Sequence, residues 1–161
     1  DVQVPVSGML CGGGILAGMV FCHAAVAECA RMVGAARRAF EMAVEYVKTR
    51  KQYGRPIAAF QTVQHQCADM AVDLRAAEYL AHQAGWRLSK HPESATEVSG
   101  AKAWVNEACR RVASRACYLH GALGYSEEYD VQLYLRRIIG AVPSFGDTSR
   151  HLEVVARGLL G

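Results

Sequence analysis

From Phe60 to Leu88 the apolar residues stand at Phe60, Val63, Cys67, Met70, Leu74, Ala77, Ala81, Ala84 and Leu88. The steps alternate three and four without a miss. That spacing returns each side chain to one face of an α-helix, in the manner of a coiled-coil seam. At about 1.5 Å per residue such a helix is roughly 45 Å long. Asp69, Asp73 and Arg75 lie off the seam. A continuous apolar stripe of this length must be covered along its whole course, and long neighbouring helices are the economical cover.

The rest of the chain supplies them. A first helix is predicted from Leu16 to Lys51, with Gly18 and Gly34 as weak points. Phe40, Val44 and Val47 form its stripe, and Ala35, Ala36, Ala39 and Ala43 permit close approach. Ser94-Ala95-Thr96-Glu97 reads as a capping box opening a third helix. Its stripe runs Val98, Ala101, Val105, Ala108, Val112, Ala116 and Leu119, and Gly121 and Gly124 close it. A short helix follows Asp130, and a last one spans about Ser149 to Leu159. The fold class is all-α, an antiparallel up-down bundle over residues 14–161. Residues 1–13 read as a linker in which Val2 and Val4 alternate before Pro5, Ser7 and Gly8.

Bulk properties exclude some functions. The chain has 161 residues, 52% hydrophobic and 20% charged, which is one folded domain. A net charge of +3 without a basic block argues against nucleic acid. The apolar run from Gly12 to Val20 contains four glycines and is too short and broken to span a bilayer. The six cysteines form no C-x-x-C pair and mostly sit on apolar stripes, as reduced structural thiols of a cytoplasmic protein would. The six histidines show no ligand spacing, so no metal site is expected. Trp86 and Trp104 read as core residues. The chain begins at Asp1 without methionine, as a fragment or processed chain would.

Two stretches carry polar chemistry. Arg50-Lys51-Gln52-Tyr53-Gly54 places a guanidinium, an amide and a phenol within four residues. An arginine fork binds phosphate in a bidentate way that lysine cannot copy. Gln52 and Tyr53 can hydrogen-bond and pack on a flat polar ligand. The plainer reading is a helix C-terminus favoured by Lys48, Arg50 and Lys51 and closed by Gly54. Asp147-Thr148-Ser149 opens the last helix, where each residue is a good N-cap and free N–H groups attract phosphate.

Arg50 to Gly54, then Phe60-Gln61 and Val63-Gln64-His65, together with His120-Gly121-Ala122-Leu123-Gly124-Tyr125 and Thr148-Ser149, resemble the C-terminal domain of the acyl-CoA dehydrogenases. The likeness runs from about Val33 to the chain end. It implies α,β-desaturation of an acyl-CoA thioester with FAD, in a homo- or hetero-oligomer that holds the flavin at a subunit interface. The implied cofactor-binding residues are Arg50, Gln52, Tyr53, Gln61, Gly121, Thr148 and Ser149. Arg50 would reach the pyrophosphate of a neighbouring subunit's FAD. By the same resemblance, residues 1–13 are the remnant of a preceding β-domain.

The chain departs from the family where the chemistry is hardest. The family's carboxylate base removes the α-proton while hydride leaves the β-carbon. Gly146 stands at its usual position, and Asp147 is one residue late and one methylene short. The alternative base position, on the first helix, is Ala24, with Glu28 one turn further on. Misplacement by about 1 Å can cost about 10²-fold. Ala122, Tyr118 and Arg150 also replace family residues, and Arg137 lacks the acid that usually follows. Asp147 stands as the candidate base, beside the reading that this chain has none. Three roles follow: a dehydrogenase subunit without its own base, a non-catalytic partner in a mixed tetramer, or a flavin monooxygenase of the same fold.

Overall fold

The computed structural model describes residues 13–161; the predicted linker and Cys11 lie outside the described residues. Helix α1 spans Gly13–Thr49, α2 Gln61–Lys90, α3 Ala95–His120, α4 Val131–Ala141 and α5 Thr148–Leu160. A two-stranded antiparallel hairpin, β1 Lys51–Gln52 and β2 Arg55–Pro56, links α1 to α2 through a 3₁₀ turn at Ile57–Ala59. A second 3₁₀ turn, Gly121–Tyr125, links α3 to α4. The expected all-α bundle is therefore present, and α3 is its axis, packed against each of α1, α2, α4 and α5.

The α2 seam is buried from Met70 through Leu74, Ala77, Ala81, Ala84 and Leu88. Its first members, Phe60, Val63 and Cys67, are only half-buried. All seven residues of the predicted α3 stripe are buried. On α1 the buried line is Cys29, Met32, Ala36, Ala39, Ala43 and Val47, with Phe40 and Val44 at its margin. Alanine recurs at these contacts, so helix backbones meet closely with little side-chain entropy to lose.

Several local readings are corrected. Helix α1 starts at Gly13 and runs through Gly18 and Gly34, because packing overrides the modest helix cost of glycine. This helix is long and apolar enough to cross a membrane by length and composition alone; in the bundle it lies along α2 and α3, with 22% of its most apolar window buried. The helix ends at Thr49, and Tyr53 (φ 52°) with Gly54 (φ 78°) makes a hairpin turn instead of a helix cap. Positive φ at both central positions is the signature of a type I′ turn. The capping box is not made: the Ser94 hydroxyl donates to His91 O at 2.7 Å. Trp86 and Trp104 are not core; they are 58% and 45% exposed. Val72, Tyr79 and Trp86 form a second, outward stripe at intervals of seven on α2.

The described cysteines are free thiols. Burial pushes Cys29 and Cys109 up to about 12, which keeps them protonated and unreactive.

The turn after α3 rests on one close approach. A Cβ at Gly124 would sit 2.1 Å from Cys117 O, inside the backbone of α3. Gly124→Ala is expected to destabilise the fold by about 2–4 kcal/mol, since neither backbone can yield. A shift of the urea midpoint, with the slope unchanged, would measure it. An unshifted midpoint would mean that the turn can move away from α3 without loss.

Candidate functional site

Two separate groups of candidate residues emerge. The first lies at the foot of α1. Tyr46 and Arg50 are one turn apart on α1 and so share a face. The Arg50 backbone is fixed on both sides: its N–H donates to Tyr46 O and its carbonyl accepts from Ile57 N, each at 2.8 Å. The side chain is exposed and makes no ion pair among the described residues. Tyr53, at the hairpin tip, is 91% exposed. A tyrosine held at positive φ with its ring in water costs of order 1–3 kcal/mol of strain, a price borne where surroundings over-determine the backbone.

These residues open onto a groove of about 670 Å³ between the hairpin, the start of α2 and the end of α3. Arg50, Gln52 and Tyr53 line one wall, Phe60, Val63 and Gln66 the second, and Tyr118, His120 and Gly121 the third. Phe60 and Val63, at the half-buried start of the α2 seam, thus form part of the groove wall. Gly121, at φ 63°, ends α3 and turns the chain along the rim. Gln61 is exposed on the first turn of α2 and does not line the groove.

His120 is the residue that sequence reasoning passed over here. It is 3% exposed and stacks on Tyr46 at 4.5 Å between ring centroids. Its Nδ1–H donates to Ala116 O at 2.7 Å, and its buried Nε2 has no partner. A buried acceptor without a donor is costly, and His151 Nδ1 is in the same state. The one available signal was its place just before Gly121.

The second group lies at the start of α5. Asp147 caps this helix, its Oδ1 accepting from Arg150 N at 2.9 Å. Thr148 Oγ1 donates to Glu107 Oε1 at 3.0 Å, while Ser149 is exposed. Glu107 also takes Arg110, and that bond holds its carboxyl below the usual range. Beneath the α4–α5 loop, Lys102 is fully buried. Its Nζ donates to Asn106 Oδ1 at 2.5 Å and reaches Val142 O at 3.4 Å; Asn106 Nδ2 donates to the same carbonyl at 3.3 Å. The carbonyl of Val142, the C-cap of α4, thus receives a cation, which suits the helix dipole. Desolvation lowers the Lys102 pKa.

Thirteen residues of α3 separate His120, in the first group, from Glu107, in the second. That is about 20 Å along the axis. Arg50 and Thr148-Ser149 of one chain therefore cannot hold the same phosphate. Neither candidate base is free: Asp147 is engaged as a cap, and Glu28 is buried and paired with Arg31, whose Nε donates to it at 3.0 Å.

A family model described as acyl-CoA dehydrogenase, C-terminal domain, matches residues 12–160. Acyl-CoA dehydrogenase IpdE2 of Mycolicibacterium smegmatis is 34% identical over 130 residues, covering 81% of this chain and 40% of that protein. The structure of butyryl-CoA dehydrogenase from Megasphaera elsdenii superposes with a TM-score of 0.92 at 30% identity, over 100% of this chain and 43% of that one. A chain of the ChsE4-ChsE5 complex from Mycobacterium tuberculosis gives 0.82 at 28% identity, over 87% and 38%. The sequence spans about two fifths of the proteins it matches.

Burial lowers the pKa of His151, the residue after Arg150; Lys102 and Arg150 add to this and Asp147 opposes it. The unfolded imidazole titrates near about 6.5, so below that pH the unfolded chain binds more protons than the folded one. Stability is expected to fall as pH drops from about 6.5 until the lowered folded-state value is reached. Urea midpoints measured between about pH 7.5 and 5 check this, and His151→Gln should flatten the slope. An unchanged slope in that variant would assign the acid sensitivity to another group.

Proposed function

The chain belongs to the acyl-CoA dehydrogenase family, as its C-terminal domain, and we propose that it serves there as the helical side of a flavin interface shared between subunits, without supplying the base itself. Members of this family generally bind FAD. The observation that carries the proposal is the unpaired Arg50 guanidinium on an aromatic-walled groove, about 20 Å from the start of α5.

The groove fits a dinucleotide. Arg50 provides a bidentate site for a diphosphate, Tyr53 and Tyr118 offer ring faces, and Gln52 offers a polar side chain. Thr148 and Ser149, at the far group, would serve a second flavin. Each subunit thereby contributes to two cofactors, its own and its neighbour's. Bound FAD supplies a hydride acceptor for the β-carbon of an acyl-CoA thioester. What this chain's residues do is orient and neutralise the cofactor's phosphates and exclude water from its rings.

The reading without a base draws on Gly146, which has no side chain, and on the commitment of Asp147 Oδ1 to the α5 cap. A neighbouring subunit then provides the carboxylate, and the physiological assembly is a mixed oligomer. The turnover is desaturation of a fatty or sterol-side-chain acyl-CoA.

Two experiments test this. The full-length protein, purified alone and with a co-expressed dehydrogenase subunit that carries the base, should show flavin absorption only in the mixture. Acyl-CoA turnover by the protein alone, abolished by Asp147→Asn, would overturn the proposal. In the mixture, Arg50→Ala should weaken flavin retention about ten- to hundredfold, the loss expected for a charge-assisted pair. Arg50→Lys should recover little of it, because a single ammonium cannot reproduce the fork. Full retention in both variants would remove Arg50 from the interface.

A further inference from the structure

The α4–α5 loop has a feature that neither the cap nor the flavin interface uses. Phe145 (φ 57°) and Gly146 (φ 102°) are consecutive left-handed residues, followed by Asp147 in extended conformation. A Cβ built on Gly146 would sit 2.7 Å from His151 Nε2 and 3.1 Å from its Cδ2. The ring borders a cavity of about 530 Å³ on the side of Phe21 and Cys22, and its own contacts hold it under the loop. His151 is 1% exposed, and its Nε2–H donates to Phe145 O at 2.9 Å. Phe21 of α1 packs on the imidazole at 6.2 Å between centroids and meets Phe145 edge-on at 6.3 Å. Arg150 covers the other side of Phe21, 5.2 Å from its centroid.

We infer that His151 and Gly146 are a matched pair: the imidazole fills the volume in which a side chain at 146 would begin and fastens the loop to the first turn of α5. Position 146 thereby admits a side chain, a carboxylate included, only by displacing the ring. Resting on the reading that the family's base belongs at 146, the consequence is functional. The absence of a base is built into the packing of α1, α5 and the loop, and one substitution cannot restore it. The hydrogen bond to Phe145 O also fixes where Asp147, Thr148 and Ser149 start α5.

A double-mutant cycle in the full-length protein tests the pairing. Gly146→Ala alone should lower the melting temperature by about 5–10 °C, and His151→Ala alone by less. Together they should cost several degrees less than the sum, since removing the ring clears the 2.7 Å contact. The φ penalty of alanine at 146 is present in both backgrounds and cancels in the cycle. Strictly additive shifts would overturn the pairing. Should Gly146→Ala fail to fold, hydrogen exchange still decides the matter. His151→Ala should speed exchange of the amides around 145–151 at least tenfold, while His151→Gln, which keeps an N–H for Phe145 O, should recover most of the protection; unchanged exchange in His151→Ala would overturn the proposal. Gly146→Glu should be recovered soluble only when combined with His151→Ala, and a stable Gly146→Glu single variant would also overturn it. None of these readouts needs flavin, so they stand or fall apart from the interface reading.

Discussion

Close contact around α3 is the constraint on which the rest of the structure depends. Its buried face is nearly continuous, and much of what it meets is alanine: Ala36, Ala39 and Ala43 on α1, Ala77 and Ala81 on α2. Small side chains bring the axes together and spread dispersion over the whole length of the helices. They also contribute little transfer energy each, so the fold needs length, and the 30 residues of α2 and 37 of α1 provide it. Any residue that widened one crossing would separate the helices over several turns. The larger core side chains, Met32, Met70, Leu74, Val105 and Val112, fill the spaces between these alanine contacts.

Polar groups buried at those ends set the geometry that packing leaves undetermined. Lys102 and Asn106 hold the carbonyl of Val142 at the C-cap of α4, and His120 ties its ring to Ala116 O. Arg111 makes a two-point bond to Asp73 across α2 and α3, at 3.0 and 2.8 Å. A buried ammonium is tolerated only when its donors are used, and here an amide and a helix C-terminus use them. His120 and His151 are alike here: each ring donates one N–H to a backbone carbonyl, Ala116 O or Phe145 O, and keeps a second, buried nitrogen without a partner among the described residues.

The long helices were legible in the sequence because a seam of period 3.5 has no β-strand interpretation. The stripe on α3 was legible for the same reason. Periodicity could not say which of two apolar faces turns inward, so Trp86 and Trp104 read as core although they point outward. It also could not reveal that Lys51–Pro56 forms a hairpin, because Gly54 serves a helix cap and a type I′ turn equally well. Ser94 fitted the capping box by residue type, but its hydroxyl found the nearer carbonyl of His91. Of the candidate site, Arg50, Gln52, Tyr53 and Gly121 are gathered on one groove, and Gln61 falls outside it. Tyr46, Tyr118 and His120 join only because α3 ends beside α1, a tertiary juxtaposition with no local signature.

The spacing along α3 bears on assembly more than any single contact does. Sites that share a ligand within one chain can be tuned by small local shifts. Here the two candidate groups are joined by about 20 Å of α3, from Glu107 to His120, so their separation is fixed by the bundle. A subunit of this design can meet its neighbour's cofactor at one end while the other end serves its own, and the distance between cofactors is then set by helix length. Such an arrangement tolerates loss of the base in one subunit. The groove proposed to hold the diphosphate and the loop that would hold the carboxylate share no side chain. The first can be retained intact, Arg50 included, while the second is filled by an imidazole.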